Sequence, residues 1–401
     1  MSVHELALQR AKYKHLSDEE WRWFLQQVEG RERTADKLPT FAAIDDWWYP
    51  VRLSCEQCSS ELTAKYKAQI VNGKCPNGRF VDLTAGYGVD TFFLSELFAH
   101  TDYVEQNPEL CRIAEHNFGL RNQESRIRIH NSTAEEYLCP MVNGTCENGK
   151  WLYDLIYLDP ARRDSHGGKV FRLEDCSPNI IELLPSLLSH LTPNGRLMLK
   201  LSPMLDITQA VNQLSTPYTL HHTPLTWDIH VVAVKNEVKE VLLLSGGNGT
   251  ITAIDLTEPE KAFVFTKEEE SLSAKRSVSE TVCTLSAAGG LYLYEPSVSI
   301  LKAGAYKLVA QRFGLHKLDV NTHLYASDTR IENFPGRVWK CLSKIENQKS
   351  KIENANVLVR NYPLTPEQLK KKLRVKDGGD LFIIGCRVAG KPTLFLAERT
   401  T

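Results

Sequence analysis

Phe80 to Phe98 reads FVDLTAGYGVDTFFLSELF. The apolar run Phe80-Val81-Asp82-Leu83 gives way to Thr84-Ala85-Gly86-Tyr87-Gly88, and apolar residues then recur at helical spacing as Val89, Phe92, Phe93 and Leu97. Strand, tight glycine turn and helix in that order open a nucleotide-binding βαβ unit. Seventeen residues past Gly88, a second short strand, Asp102-Tyr103-Val104-Glu105, ends on a carboxylate. An acidic side chain there can accept both hydrogen bonds of a ribose diol.

The glycines separate two classes of ligand. A dinucleotide site wants G-x-G-x-x-G, with the pyrophosphate on the helix N-terminus. Here Thr91 stands where the third glycine would be, and Asp82 lies at the strand end four residues before Gly86. A carboxylate at that point repels a pyrophosphate and suits the ammonium group of a methionine moiety. The pattern D-L-T-A-G-x-G resembles motif I of class I S-adenosylmethionine-dependent methyltransferases, with Thr84 in place of the usual first glycine.

With 401 residues the chain exceeds one ordinary core, so several domains are expected. Its net charge of −1 hides an asymmetry, because residues 301–401 hold 19 Lys and Arg against 9 Asp and Glu. A basic C-terminal quarter on an acidic body points to an anionic partner, nucleic acid first; a lysine-rich solvated surface is the plain reading. Ten cysteines form no paired framework, and the close pair Cys55 and Cys58 lacks a second half to complete a zinc site. Structural thiols in a reducing compartment and no metal are expected. With no signal-like N-terminus and no apolar run of membrane-spanning length, the expectation is a cytoplasmic protein without membrane contact.

Residues 1–70 read as a helical region. Ser17-Asp18-Glu19-Glu20 is a capping box, followed by Trp21, Phe24, Leu25 and Val28 on one face. Trp47-Trp48-Tyr49-Pro50 is an aromatic knot expected to pack on the next domain; a base-stacking platform is the other use of such rings. Glu56-Gln57-Cys58-Ser59-Ser60-Glu61 is dense in hydrogen-bonding groups that either close over a ligand or cap the helix to Ala68.

Between 71 and 250 the elements alternate β and α. A helix from Asn107 to Phe118 carries Pro108 in its first turn. Strand Ile127 to Ile129 precedes Ser132-Thr133-Ala134, and Tyr153 to Leu158 is a near-continuous apolar strand of a parallel sheet's centre. A helix from Asn179 to Leu191 should end at Pro193-Asn194-Gly195 before strand Arg196 to Leu201. Ile229 to Lys235 and Val238 to Leu244 flank Asn236-Glu237 as an antiparallel hairpin. A parallel sheet finished by such a hairpin is the class I methyltransferase arrangement, an α/β Rossmann-like sheet that a dehydrogenase does not need.

Residues 251–340 read as β-rich, with a solvated charge run at Lys267-Glu268-Glu269-Glu270 and one helix from Ile300 to Phe313. Residues 341–401 form a small α+β module: strand Val357 to Arg360, a helix from Pro366 to Leu373 started by Thr365, and strands Leu381 to Val388 and Thr393 to Ala397. Lys370, Lys371, Lys372 and Arg374 on and after that helix would make an RNA-backbone clamp.

Asp159-Pro160-Ala161-Arg162-Arg163 follows the fourth strand, beside the cofactor at the carboxyl edge of a doubly wound sheet. In relatives that methylate amines this position reads N/D-P-P-aromatic, the acid or amide and a carbonyl accepting the amine's hydrogens. Asp159 and Pro160 match; Arg162 in the aromatic's place can stack on a base or pair with a phosphate. Cys176, a candidate nucleophile near this edge, has no neighbour that would activate it.

Together, Glu56 to Glu61, the motif I run, Asp159 to Arg163, Lys200-Leu201-Ser202-Pro203 and Arg360-Asn361-Tyr362-Pro363 resemble bacterial class I methyltransferases with a ferredoxin-like segment and a C-terminal THUMP-like domain. That resemblance implies S-adenosylmethionine held by Asp82, Thr84, Ala85, Gly86, Tyr87, Gly88, Glu105, Gln106, Asn107, Thr133 and Ala134, although relatives place an aspartate near Thr133 for the adenine amino group. Asp159, Pro160, Arg162 and Arg163 would meet the acceptor, and a structured RNA, tRNA or rRNA, is the implied substrate. A protein or small-molecule methyltransferase, a non-catalytic RNA-binding protein and a nucleotide-dependent oxidoreductase are the alternatives.

Overall fold

A computed structural model of the chain describes residues 3–71, 75–121, 126–138, 152–162, 173–215, 219–220, 223–273, 290–345 and 352–400. Two units divide them: Met1–Asp228 with Val241–Asn248, and Ile229–Glu240 with Gly249–Thr401.

In the first unit, after short helical turns at Val3–Ala7 and Arg10–Tyr13, comes helix α1, Asp18–Thr34, whose cap Ser17 accepts from the Glu20 amide while Glu20 accepts from the Ser17 amide. Helix α2, Glu61–Ile70, is capped by Ser60. Then alternate strand β1 (Cys75–Asp82), helix α3 (Val89–Ser95), strand β2 (Phe98–Glu105), helix α4 (Pro108–Gly119), strand β3 (Ile127–Asn131), helix α5 (Ala134–Leu138) and strand β4 (Tyr153–Leu158). Helix α6 (Ile180–Ser189), strand β5 (Leu191–Leu201) and helix α7 (Ile207–Ser215) lead to strands β6 (Trp227–Val234) and β7 (Glu237–Ser245).

The sheet of this unit runs β7-β5-β4-β1-β2-β3. Its pairs are parallel from β5 to β3, and β7 alone is antiparallel, Val241 to Leu244 opposite Leu201 to Met198. The chain walks from β1 outward through β2 and β3, then returns to the other flank of β1 with β4. That reversal opens a crevice at the carboxyl ends of β1 and β4, where Asp82 lies in register with Tyr157.

Every residue of α3 is buried, because the aromatic N-terminal segment covers the side that the sheet does not. Phe41 and Trp47 pack at 4.3 Å, the Trp47 indole donates to the Tyr87 hydroxyl at 2.9 Å, and Trp48 stacks on His116 at 3.7 Å. Arg112 sits over Trp23 and Trp48, so all these rings are spent on packing.

Several local readings need correction. Helix α3 stops at Ser95, and Leu97 packs with Phe80 and Phe98 on the sheet instead of extending the helix stripe. Leu191 already pairs with Tyr153, so Pro193-Asn194-Gly195 is an irregularity inside β5, not a turn that ends α6. The hairpin turn sits one residue earlier than its sequence indicated, at Lys235 and Asn236, both with φ above +50°.

In the second unit, β6 pairs in parallel with β8 (Thr250–Asp255), which pairs antiparallel with β9 (Phe263–Thr266). Lys267-Glu268-Glu269-Glu270 forms a capped helix, Lys267–Leu272, rather than a solvated turn. Glu270 there accepts the backbone N–H groups of Lys307 and Leu308 at 2.9 and 2.8 Å, closing the first turn of a later helix. That region, read as one helix, is two, Val298–Ala303 and Tyr306–Arg312, because Gly304 at φ 84° ends the first.

A seven-stranded sheet holds the rest. It runs β11-β12-β10-β13-β16-β15-β14, where β10 is Tyr292–Pro296, β11 His316–Asp319, β12 Thr322–Ser327, β13 Gly336–Lys344, β14 Asn356–Arg360, β15 Leu381–Val388 and β16 Lys391–Arg399. The helix Pro366–Leu373 lies where expected, with the Thr365 and Gln368 capping box formed.

Candidate active site

Asp82 ends β1 and is 1% exposed. Its Oδ2 accepts from the Thr91 hydroxyl at 2.6 Å and its Oδ1 from the Thr84 amide at 3.1 Å. Burial, reinforced by the nearby carboxylates Asp90 and Asp159, pushes its carboxyl up to about 8 despite those hydrogen bonds. Gly86 and Gly88 follow at φ 57° and 81°. A side chain at Gly88 would press on the rings of Phe118 and Tyr103 at 3.0 and 3.3 Å, whereas at Gly86 the nearest neighbour is a carbonyl oxygen 3.9 Å away. The turn is therefore closed toward the helix and open toward the crevice.

Glu105, at the end of β2, takes the Gly86 amide on Oε2 at 2.9 Å and the Asn107 amide on Oε1 at 2.8 Å. Each carboxylate oxygen keeps a further acceptor site, as a ribose diol requires. Asp82 and Glu105 thus attach to the same glycine turn from either side. This arrangement fits a nucleoside carrying a cationic amino acid arm.

The remaining expected cofactor residues divide by what they touch. Ala85 is fixed by its amide on the Val104 carbonyl, 3.0 Å away. Tyr87 is turned into the N-terminal aromatic cluster, donating to the Trp48 carbonyl at 3.1 Å. Asn107 caps α4, and the Gln106 carbonyl accepts from the Asn131 amide group. Thr133 is engaged with Glu136 in the first turn of α5, and Ala134 beside it is buried.

After β4, the Asp159 amide donates to the Thr84 hydroxyl at 2.6 Å, joining that loop to the glycine turn. Lys200, from β5, donates to Asp159 Oδ2 at 2.5 Å. Pro160 is partly exposed next to it, and the backbone of Ala161 and Arg162 pairs with Ser177 and Cys176. Arg163 lies outside the described residues. Cys176 is buried and is not in a disulfide.

Sequence reasoning gave no role at the site to Lys67, Asp90 or Lys200, although Lys200 lies in a stretch that carries the family resemblance. Lys67 of α2 is fully buried and pairs with Asp90 of α3 at 3.1 Å. Ser59 joins both lysines, accepting from Lys67 and Lys200 at 3.2 Å each and donating to Asp90 at 2.6 Å. Burial would raise Asp90, but the two lysine ammonium groups hold it below the ordinary carboxylate range. The hydrogen-bonding stretch before α2 therefore does two jobs: Ser60 caps the helix, and Ser59 enters the site. Cys55 and Cys58 donate to the carbonyls of Pro50 and Cys55, and burial pushes Cys55 up to about 12. Among the described residues no group of three or more His, Cys, Asp or Glu is placed to hold a metal, and no helix is long and apolar enough to cross a membrane.

Residues 292–335 match a ferredoxin-like domain family and residues 342–399 a THUMP domain-like family. A crystal structure classed as a methyltransferase, from Porphyromonas gingivalis W83, is similar to this chain at 32% identity with a TM-score of 0.78, over 96% of this chain and 92% of that one. An uncharacterized S-adenosylmethionine-dependent methyltransferase of Mycobacterium tuberculosis, strain H37Rv, is 20% identical over 380 residues, 91% of this chain and 92% of its own length. Its counterpart in strain CDC 1551 matches equally.

Proposed function

This chain belongs to the class I S-adenosylmethionine-dependent methyltransferases that carry a ferredoxin-like and a C-terminal THUMP-like domain, and from that premise we propose that it methylates a structured RNA, tRNA or rRNA. The observation that carries the reading is the attachment of Asp82, Glu105 and the Asp159 loop to one glycine turn, through Thr84 and Gly86. Asp82 would face the methionine ammonium, Glu105 the ribose diol, and Asp159 with Pro160 the group to be methylated. When bound, S-adenosylmethionine supplies an activated methyl group for in-line displacement.

The chain's own part is to orient and to exclude water. Thr84 sets the distance between the cofactor turn and the acceptor loop. Asp159, held by Lys200, would accept a hydrogen from an incoming amine or hydroxyl. Support for RNA comes from the THUMP-like match and the basic C-terminal quarter, where Lys371, Lys372 and Arg374 are exposed; Lys370 is engaged with Asp377 at 2.7 Å.

The test is transfer of labelled methyl groups from S-adenosylmethionine to bulk RNA from a strain lacking the protein, with nucleosides identified by mass spectrometry. A single nucleoside that is methylated by the protein and missing in that strain supports the reading. Failure to retain RNA at low salt, with cofactor binding intact, would shift the acceptor to a protein or small molecule.

A further inference from the structure

Among the described residues, three carboxylates and two ammonium groups meet at the crevice. Lys67 pairs with Asp90 at 3.1 Å and Lys200 with Asp159 at 2.5 Å, while the Ser59 hydroxyl bridges the two lysines and Asp90. Asp82 is the third carboxylate. Its partners are the neutral donors Thr91 and Thr84, and among the described residues no cation lies within ion-pair distance of it.

Each packed element contributes a group that matters to Asp82. From α3 come Asp90 and Thr91, from the loop after β4 Asp159, and from β4 Tyr157, which donates to Asp90 at 2.8 Å. Tyr103 of β2 donates to the Gly86 carbonyl, Lys67 lies on α2 and Lys200 on β5. Both lysines are already matched to other carboxylates. A buried carboxylate with no ion-pair partner, beside two carboxylates that are each paired with a lysine, holds its proton at neutral pH. The Thr91 hydroxyl can donate to the ionised group or accept from the protonated one, so the bond survives either state.

We infer that this cluster is one cation short, and that the ammonium group of the methionine moiety makes up the count, so that cofactor binding drives a proton off Asp82. The inference rests on the cofactor reading above. In the step, the carboxyl O–H bond breaks, the proton passes to solvent and the ligand's ammonium keeps all of its hydrogens. Affinity then rises with pH by up to about tenfold per pH unit while Asp82 is protonated in the free protein. The rise ends near pH 8, where Asp82 is itself ionised in the free protein.

Calorimetry of the full chain with S-adenosylhomocysteine tests this, since that ligand carries the same ammonium group. At pH 6.5, titrations in two buffers of different ionisation enthalpy should report close to one proton released per ligand bound. Thr91→Val removes a donor to the ionised form, and should move the affinity-against-pH curve to higher pH with the fold retained. Binding with heats that are identical in both buffers overturns the coupling but leaves the cofactor site standing. An unmoved curve in Thr91→Val overturns the assignment to Asp82. No binding at any pH overturns the cofactor reading, and this inference with it.

Discussion

Thr91 occupies the position at which a dinucleotide fold needs glycine, and its hydroxyl is what the buried Asp82 carboxyl leans on. Thr84, in the place of motif I's usual first glycine, spends its side chain on the Asp159 amide. Both departures from pattern thus place a hydroxyl where the site needs one. Gly86 tolerates no such replacement, since φ 57° costs an ordinary residue about 1–2 kcal/mol and a side chain there projects into the crevice. Gly86→Leu should lower S-adenosylhomocysteine affinity at least about tenfold by calorimetry.

Asp82 also gives a stability signature. Its ordinary value is 3.8 and its folded value about 8, so between these the unfolded chain has lost the proton that the folded one keeps. The group's contribution is fully present below about pH 4, falls as pH rises and levels off above about 8. Asp82→Asn, which keeps an acceptor for Thr84, should therefore flatten the fall in melting temperature between pH 5 and 8 in ligand-free protein while abolishing cofactor binding. Thermal unfolding across that range checks both halves.

At the scale of elements, α2 and α3 are tied by the buried Lys67–Asp90 pair. Removing one member of such a pair leaves an uncompensated charge, typically at a cost of about 3–5 kcal/mol. Lys67→Met should destabilise the first unit by that order in denaturant unfolding, and adding Asp90→Asn should recover part of it. Capping boxes at Ser17 and Thr365 were readable because they are contained in four consecutive residues. Glu270 was not, for its partners lie on a helix nearly forty residues later. The break at Gly304 was hidden for a different reason: apolar residues continue at helical spacing on both sides of it.

At the scale of the whole chain, the second unit's seven-stranded sheet contains strands from both matched families, with β10 paired to β13 and β13 to β16. Glu295, buried in β10, pairs with Arg337 of β13 and Arg360 of β14. The arginines are about a third exposed, which screens the pairs; Glu295→Gln should cost about 1–2 kcal/mol. Hydrogen exchange should then quicken in β10, β13 and β14 together. Exposed Lys371 and Lys372 belong to this scale as well, because their charge counts through the field of the whole protein. Lys371→Gln and Lys372→Gln should each reduce the salt slope of RNA binding by about one.

The sequence by itself determined the strand-turn-helix at Phe80 to Ser95, the parallel sheet with its antiparallel last strand, and the two carboxylates on the turn, because backbone periodicity and turn chemistry act over a few neighbouring residues. Only the tertiary structure decided that Ser59 and Lys200, 141 positions apart, meet beside Asp90 and Asp159. Charge pairing in a buried crevice is a matter of which strands lie side by side, and no local pattern of residues records that.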